Sequence, residues 1–166
     1  MTQKAALLSA VTLLVGLAGC GYKAGGPYRS GIQTVYIDMA GTREFRRFLE
    51  YDLTEALKKR LNSQGTPYRL APREKADSIL QVEILEVVQN AFAPDYETRQ
   101  PRDTSYTLAV RVLWRDLRSG RILLDTPVQL ETVDYLPPTG ETEAYASDKA
   151  TDRLAAAIVR KMYEDW

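Results

Sequence analysis

Residues 104–117, "TSYTLAVRVLWRDL", place an apolar side chain at every second position from 106 to 114. The apolar positions are Tyr106, Leu108, Val110, Val112 and Trp114. Thr107, Arg111 and Arg115 occupy the other face of the same extended segment. This period of two is typical of a strand with one buried face and one solvated face. The sequence therefore predicts a sheet that is covered on one side.

The chain reverses after this strand and supplies a partner for it. "RSG" (118–120) predicts a turn, and residues 121–136 predict a returning antiparallel strand. Pro127 lies within the returning segment and has no backbone N–H to donate, so it predicts an edge strand or a bulge. Shorter strands are predicted at residues 32–38 and 67–71, and a long one at residues 76–92.

Two segments place apolar residues at helical spacing. Residues 43–61 predict a helix with its N-cap at Thr42, and residues 141–165 predict a second helix. The apolar stripe of the first contains Phe45, Phe48, Leu49, Leu53, Ala56, Leu57 and Leu61. That of the second contains Ala150, Leu154, Ala157 or Ile158, Met162 and Trp166.

Together these elements predict the order β-α-β-β-β-β-α. Each helix has one apolar stripe and the sheet has one clean apolar face, so we predict an α+β fold, a two-layer sandwich. Two helices would pack on one face of a mixed four- to five-stranded sheet. Leu53, on the first helix, and Trp114, on the alternating strand, are predicted to lie in the core.

The N-terminal segment predicts export and lipidation. Lys4 precedes an apolar run at residues 5–18, which is too short for a membrane span of about 20 residues and is typical of a secretory signal. "LAGC" at the end of that run resembles the bacterial lipobox, in which the cysteine is acylated, for example with palmitate. We therefore predict a cleaved signal peptide at residues 1–19, lipidation at Cys20, a Gly-rich flexible tether at residues 20–31 and a single domain at residues 32–166. Gly21, in place of an aspartate, favours the outer membrane, with the domain facing the periplasm.

Composition excludes several classes of function. The chain has no histidine and only one cysteine, so Ser-His and Cys-His catalysis and soft-metal sites are not expected. The 22 basic and 22 acidic residues balance, which argues against a nucleic-acid partner. Only carboxylate chemistry remains, with Glu83 and Glu86 or Glu131 and Asp134 as nominal pairs, and solvated positions explain these residues better. No enzyme, metal or cofactor is predicted.

Several short stretches resemble the lipopolysaccharide-assembly lipoprotein family LptE. They are "CGY" (20–22), "IQTVYID" (32–38), "LEYDLTEALKKRL" (49–61), "ADSILQVEI" (76–84) and "WRDLRSGRIL" (114–123). The chain departs from many relatives at Met39-Ala40-Gly41, where those have Phe-x-Asn. The resemblance implies a non-catalytic protein that sits as a plug in the outer-membrane β-barrel LptD, and that helps the barrel assemble and pass lipopolysaccharide to the cell surface.

Two other readings remain open at this stage. One is an envelope scaffold lipoprotein that activates a peptidoglycan synthase or supports a secretion pore. The other, which the composition disfavours, is a carboxylate-dependent wall hydrolase with an acidic cleft.

Three arginines are the candidate ligand-binding residues. Arg115, Arg118 and Arg121 surround the turn at Gly120, and a guanidinium group matches phosphate in a bidentate way. If they are free of internal partners, they could contact lipopolysaccharide head groups or acidic loops of the barrel. Ordinary solvated residues beside a turn, with Asp116 nearby, are the alternative.

Overall fold

The computed structural model describes residues 31–42, 48–63, 65–94 and 101–163. The predicted signal peptide, Cys20, Phe45 and Trp166 lie outside these ranges. In chain order the strands are β1 (Thr34–Ile37), β2 (Gly41–Thr42), β3 (Arg69–Leu70), β4 (Ser78–Pro94), β5 (Pro101–Asp116) and β6 (Ile122–Tyr135). Helix α1 (Leu49–Leu61) lies between β2 and β3, and helix α2 (Glu143–Tyr163) follows β6. Short 3-10 helices occupy Arg73–Lys75 and Pro137–Thr139.

The strands form one mixed sheet in the order β3-β1-β4-β5-β6, with β2 also paired to β4. The pairs β1–β3, β1–β4 and β2–β4 are parallel, whereas β4–β5 and β5–β6 are antiparallel. The sheet thus has one strand more than predicted, because Gly41–Thr42 lies beside Glu83–Ile84 instead of forming part of a loop. Strand β6 is an edge strand, and the register jumps from Val112–Thr126 to Val110–Gln129, so Pro127 lies in a bulge. Both structural expectations for Pro127 are confirmed.

Both helices cover the same face of the sheet, which confirms the two-layer α+β sandwich. Leu53, Leu57 and Leu61 of α1 are fully buried, and so are Ala150, Leu154 and Met162 of α2. Ile158, rather than Ala157, completes the inner face of α2. All five alternating positions of β5 from Tyr106 to Trp114 are buried, and Leu53 and Trp114 are both 0% exposed.

The start of the first helix differs from the prediction. Thr42 lies in β2, where it pairs with Ile84 of β4, and the described helix begins at Leu49 with Phe48 at its N-cap position. Residues 43–47, which the prediction places in the first turns, lie outside the described ranges. Phe48 has a φ of 73° and its side chain is 71% exposed, so its predicted place in the apolar stripe is wrong. A left-handed backbone cannot continue the right-handed helix, and Phe48 therefore does not lie on the stripe that begins at Leu49.

Candidate functional site

The candidate arginines surround the tight turn between β5 and β6. Asp116 accepts a hydrogen bond from the Gly120 amide (3.0 Å) through its carbonyl, and its own amide donates to the Arg121 carbonyl (2.9 Å). The Asp116 carboxylate accepts from the Ser119 hydroxyl (2.6 Å) and the Arg118 amide (2.8 Å). These hydrogen bonds, the Ser119 hydroxyl first, hold the pKa of Asp116 below its usual value. Gly120 has a φ of 72°, which glycine adopts without strain. The turn is therefore tightly fixed.

The three guanidinium groups have different surroundings. Arg115 is half-buried on β5, between Ile79 and Ile122 in the sheet register. Arg121 is exposed and close enough to Asp116 to influence its pKa. The Arg118 side chain is 75% exposed and pairs with the Asp77 carboxylate. Arg118 is thus not free of internal partners, although most of its surface remains accessible.

Asp77 is the residue at this site that the sequence reasoning missed. Its carboxylate is nearly buried and accepts hydrogen bonds from the Thr34 hydroxyl (2.8 Å) and from the amides of Thr34 (2.9 Å) and Gln33 (3.1 Å), in addition to Arg118. Its amide donates to the Thr34 hydroxyl (2.9 Å), and its carbonyl accepts from the Leu117 amide (2.8 Å). The Thr34 hydroxyl, followed by the two amides and Arg118, lowers the pKa of Asp77 despite its burial. Asp77 therefore joins β1, β4 and the β5–β6 turn.

Further basic side chains lie next to this turn. The 3-10 helix at Arg73–Lys75 borders a groove with the turn, and that groove is lined by Arg73, Glu74, Lys75, Ala76, Asp77, Leu117 and Arg118. Arg69 starts β3, directly beside Thr34. We call this end of the domain, with Arg69, Arg73, Lys75, Arg115, Arg118 and Arg121, the basic end.

The sheet places the two nominal carboxylate pairs differently. Glu83 and Glu86 lie on the open face of the sheet, opposite Arg111 and Ala109, because a register shift lies between Ile84 and Glu86. Glu131 lies opposite Leu108 and forms an ion pair with Arg153 (3.8 Å), whereas Asp134 lies opposite Ser105, on the other face. A depression of about 460 Å³ on the open face contains both Glu83 and Arg111. Within the described ranges, no group of three or more acidic, histidine or cysteine side chains could hold a metal ion.

Neither described helix is long and apolar enough to cross a membrane. The structure therefore offers no helical membrane span in the part of the chain that it describes.

The fold is similar to those of several solved proteins. An uncharacterized lipoprotein B from Nitrosomonas europaea superposes with a TM-score of 0.59 at 14% identity, over 87% of this chain and 90% of that one. The PelC dodecamer from Paraburkholderia phytofirmans gives 0.55 at 12% identity, over 86% and 96% of the two chains. A hypothetical protein from Chlamydia trachomatis gives 0.52 at 13% identity, over 79% and 93%. At these identities the similarities show the fold alone.

The family comparison carries more information. No curated protein matches the chain significantly. The family model of LptE, described as lipopolysaccharide-assembly, matches residues 32–165, which is nearly the whole predicted domain and confirms the resemblance found in the sequence. The chain therefore belongs to the LptE family of lipopolysaccharide-assembly proteins.

Proposed function

We propose that this protein is an outer-membrane lipoprotein that plugs the LptD β-barrel and helps it assemble and deliver lipopolysaccharide to the cell surface. The observation that carries the proposal is the family match across residues 32–165. We infer a non-catalytic role: Glu131 pairs with Arg153 and lies on the other face of the sheet from Asp134, and Glu83 lies opposite Arg111. Such a role requires a rigid domain with contact surfaces rather than a reaction centre.

The lipid anchor is the first part of the proposal. Cys20 is acylated after cleavage of residues 1–19, which ties the domain to the periplasmic side of the outer membrane. Three acyl chains at one cysteine hold a protein stably, because each buried methylene contributes about 0.8 kcal/mol.

Replacing Cys20 with alanine is expected to abolish acylation. Cells that express the wild-type chain or Cys20→Ala are grown with labelled palmitate, and incorporation into the purified protein is measured. We expect label in the wild type and none in the variant. Equal label in both proteins would show that Cys20 is not the attachment point.

The barrel partner is tested by purification from native membranes. The tagged full chain is extracted from outer membranes in mild detergent, and the co-purified proteins are identified by mass spectrometry. We expect a stoichiometric β-barrel of the LptD type. Recovery of a peptidoglycan synthase, or of a large homo-oligomer such as the dodecamer that PelC forms, would instead support the scaffold alternative.

Arg115, Arg118 and Arg121 are the proposed contacts to lipopolysaccharide head groups or to acidic barrel loops. Arg118 and Arg121 are exposed at a rigid turn, and arginine binds phosphate in a bidentate geometry. The ion pair of Arg118 with Asp77 is compatible with this role, since it fixes the side chain while leaving three quarters of its surface accessible.

The double variant Arg118→Gln/Arg121→Gln tests these contacts. Glutamine is preferable to glutamate, because an acid at position 118 would face Asp77. Two exposed charge contacts of about 0.7 kcal/mol each predict a roughly tenfold weaker affinity for purified lipopolysaccharide at low salt. Lys149→Gln/Arg153→Gln, on α2, is the matched control. Equal affinity of both double variants in a low-salt titration would assign the turn a purely structural role.

A further inference from the structure

The two edge strands of the sheet, β3 and β6, differ in how far they are protected from further pairing. An edge strand presents unpaired backbone N–H and C=O groups, and natural proteins limit this exposure with short strands, basic side chains, prolines or bulges. Strand β3 has only two residues, one of which is Arg69, and Pro72 follows closely. Strand β6 has 14 residues, and the bulge at Pro127 interrupts only the part before residue 129. We call the remaining residues, 129–135, the open edge.

The open edge is a regular strand with none of these protective features. It pairs with β5 without a register shift from Val110–Gln129 to Thr104–Tyr135, and it contains no proline, lysine or arginine. Its inner face packs under α2, since Val133 and Tyr135 are buried. In the described part of the chain, no strand pairs with its outer side. Alternate residues of an antiparallel edge point their N–H and C=O groups outward, so roughly three or four residues here can bond to another strand.

The side chains of the open edge combine an exposed apolar residue with an unpaired acid. Leu130, Thr132 and Asp134 point to the open face of the sheet, because the buried Val133 between them points to the helices. Leu130 is 57% exposed. Asp134 is exposed and forms no ion pair with any described residue. Four residues, about 13 Å along the strand, separate the apolar position from the acidic one.

Nearby cations do not neutralise Asp134. The described cations on the helix side of this region are Arg102 of β5, which alternates with the helix-facing Thr104, and Lys149, Arg153 and Lys161 of α2. Arg153 pairs with Glu131, and Lys161 donates to the Gln129 side chain. On the open face, Arg111 lies opposite Glu83 and is six residues, about 20 Å, along β5 from the residue opposite Asp134. The charge of Asp134 is therefore available to a cation of another molecule.

A second copy of this chain fits the open edge poorly. Residues directly opposite each other in an antiparallel pair lie on the same face of the sheet. A twofold axis centred on Thr132 would therefore place the apolar Leu130 of each copy opposite Asp134 of the other. An axis centred on Glu131 would place that carboxylate opposite its own copy, and like charges directly opposite destabilise a strand pair. A different chain that supplies a cation matches the edge better.

We propose that the open edge accepts an extended strand of the barrel protein, which adds to the sheet beside β6 with an apolar side chain opposite Leu130 and a lysine or arginine opposite Asp134. The inference rests on the proposed function, and it names the surface of the plug and the strand chemistry of its partner. In this mode of recognition, backbone hydrogen bonds supply the affinity and alternate side chains supply the specificity. The open edge contains none of the three proposed lipopolysaccharide contacts, so both surfaces can be occupied together.

The test maps the neighbours of the open edge in the complex purified from outer membranes. Benzoylphenylalanine, a photo-reactive residue, replaces Leu130, Thr132 or Asp134 in the tagged full chain, and mass spectrometry identifies the cross-linked residues. Glu86, an exposed residue of β4 on the same face but two strands inward, is the control position. We expect the three edge positions to cross-link to one segment of the barrel protein, with the attachment site moving by two residues for each step of two along β6. The control position is expected to give no such cross-link.

A charge reversal tests the cation opposite Asp134. Asp134→Lys is expected to lower the yield of the cross-link from position 130 roughly tenfold at low salt, because a like charge replaces an opposite one across the strand pair. Asp125→Lys makes the same change on the same strand and face, before the bulge, and is expected to retain the yield. An unchanged yield in Asp134→Lys would overturn the proposed strand chemistry.

The cross-links also separate failure of this inference from failure of the proposed function. If the barrel protein co-purifies but the edge positions give no cross-links, scattered ones or the same ones as position 86, only the strand addition is overturned. Cross-links between two copies of this chain would overturn it in favour of self-pairing. If no barrel protein co-purifies, the proposed function fails and the inference fails with it.

Discussion

Replacing Trp114 with alanine is expected to destabilise the domain by about 3–5 kcal/mol. The indole is fully buried between the sheet and the helices, and its ring packs edge-on against Tyr68 with a centroid separation of 5.4 Å. Its Nε1 donates to the Ser78 hydroxyl (2.9 Å). The truncation therefore leaves a large cavity and removes a buried hydrogen bond. Urea unfolding of the purified chain, followed by circular dichroism, measures the effect.

Three further variants show which part of the loss is packing. Trp114→Phe keeps most of the buried surface, and the Ser78 hydroxyl still donates to the Thr34 carbonyl, so we expect a cost of only about 1–2 kcal/mol. Leu53→Ala, on the facing helix, is expected to cost about 2–5 kcal/mol. Lys59→Ala, at an exposed position on the same helix, should stay within about 0.5 kcal/mol. If the urea midpoints of Trp114→Ala and Lys59→Ala were equal, the assigned core would be wrong.

The regular elements were predictable because their signals are local and repeated. The alternation from Tyr106 to Trp114 and the three- and four-residue spacing of Leu53, Leu57 and Leu61 each show which face is buried. Pro127 has no backbone N–H to donate, and the structure places it in a bulge on an edge strand. In each case the physical cause acts within a few residues, so the sequence alone reveals it.

The remaining features depend on contacts between distant residues or on single backbone angles. The strand at Gly41–Thr42 has only two residues and no period of its own, and it exists because β4 lies beside it. Phe48 fits the helical spacing, yet its positive φ excludes it from the helix. Hydrophobic periodicity contains no information on either point.

In the candidate site, too, the local features were predictable and the contacts between distant residues were not. The turn at Gly120 and its three arginines could be read from "WRDLRSGRIL", but the ion pair of Arg118 lies 41 residues away in sequence, at Asp77. Thr34 is a further 43 residues from Asp77. The only sequence signal for these contacts was an aspartate directly before a buried strand, and that signal does not indicate which residues the aspartate contacts. The clustering of Arg69, Arg73 and Lys75 with the turn likewise follows from strand order.

Replacing Asp77 with alanine is expected to cost about 2–4 kcal/mol at neutral pH, because hydrogen bonds to a charged acceptor are lost and the amides of Gln33 and Thr34 are left without their partner. Asp77→Asn should cost less, since the amide oxygen can still accept, although its NH2 group cannot serve as a second acceptor. Asp125→Asn, at an exposed position on β6, is the control and should stay within about 0.5 kcal/mol.

The contribution of Asp77 should also depend on pH in one direction. Its pKa in the folded protein lies below the value of the unfolded chain, about 3.9, so the ionised carboxylate stabilises the fold at all pH values above that. The stabilisation is lost as the pH falls through the lower, folded-state pKa. Urea unfolding between about pH 7 and pH 2.5 should therefore show a constant gap between wild type and Asp77→Asn down to about pH 4, and a shrinking gap below it. A gap that stayed constant to the lowest pH would mean that the negative charge of Asp77 does not stabilise the domain. Arg118 would then lack the electrostatic partner that holds it at the basic end.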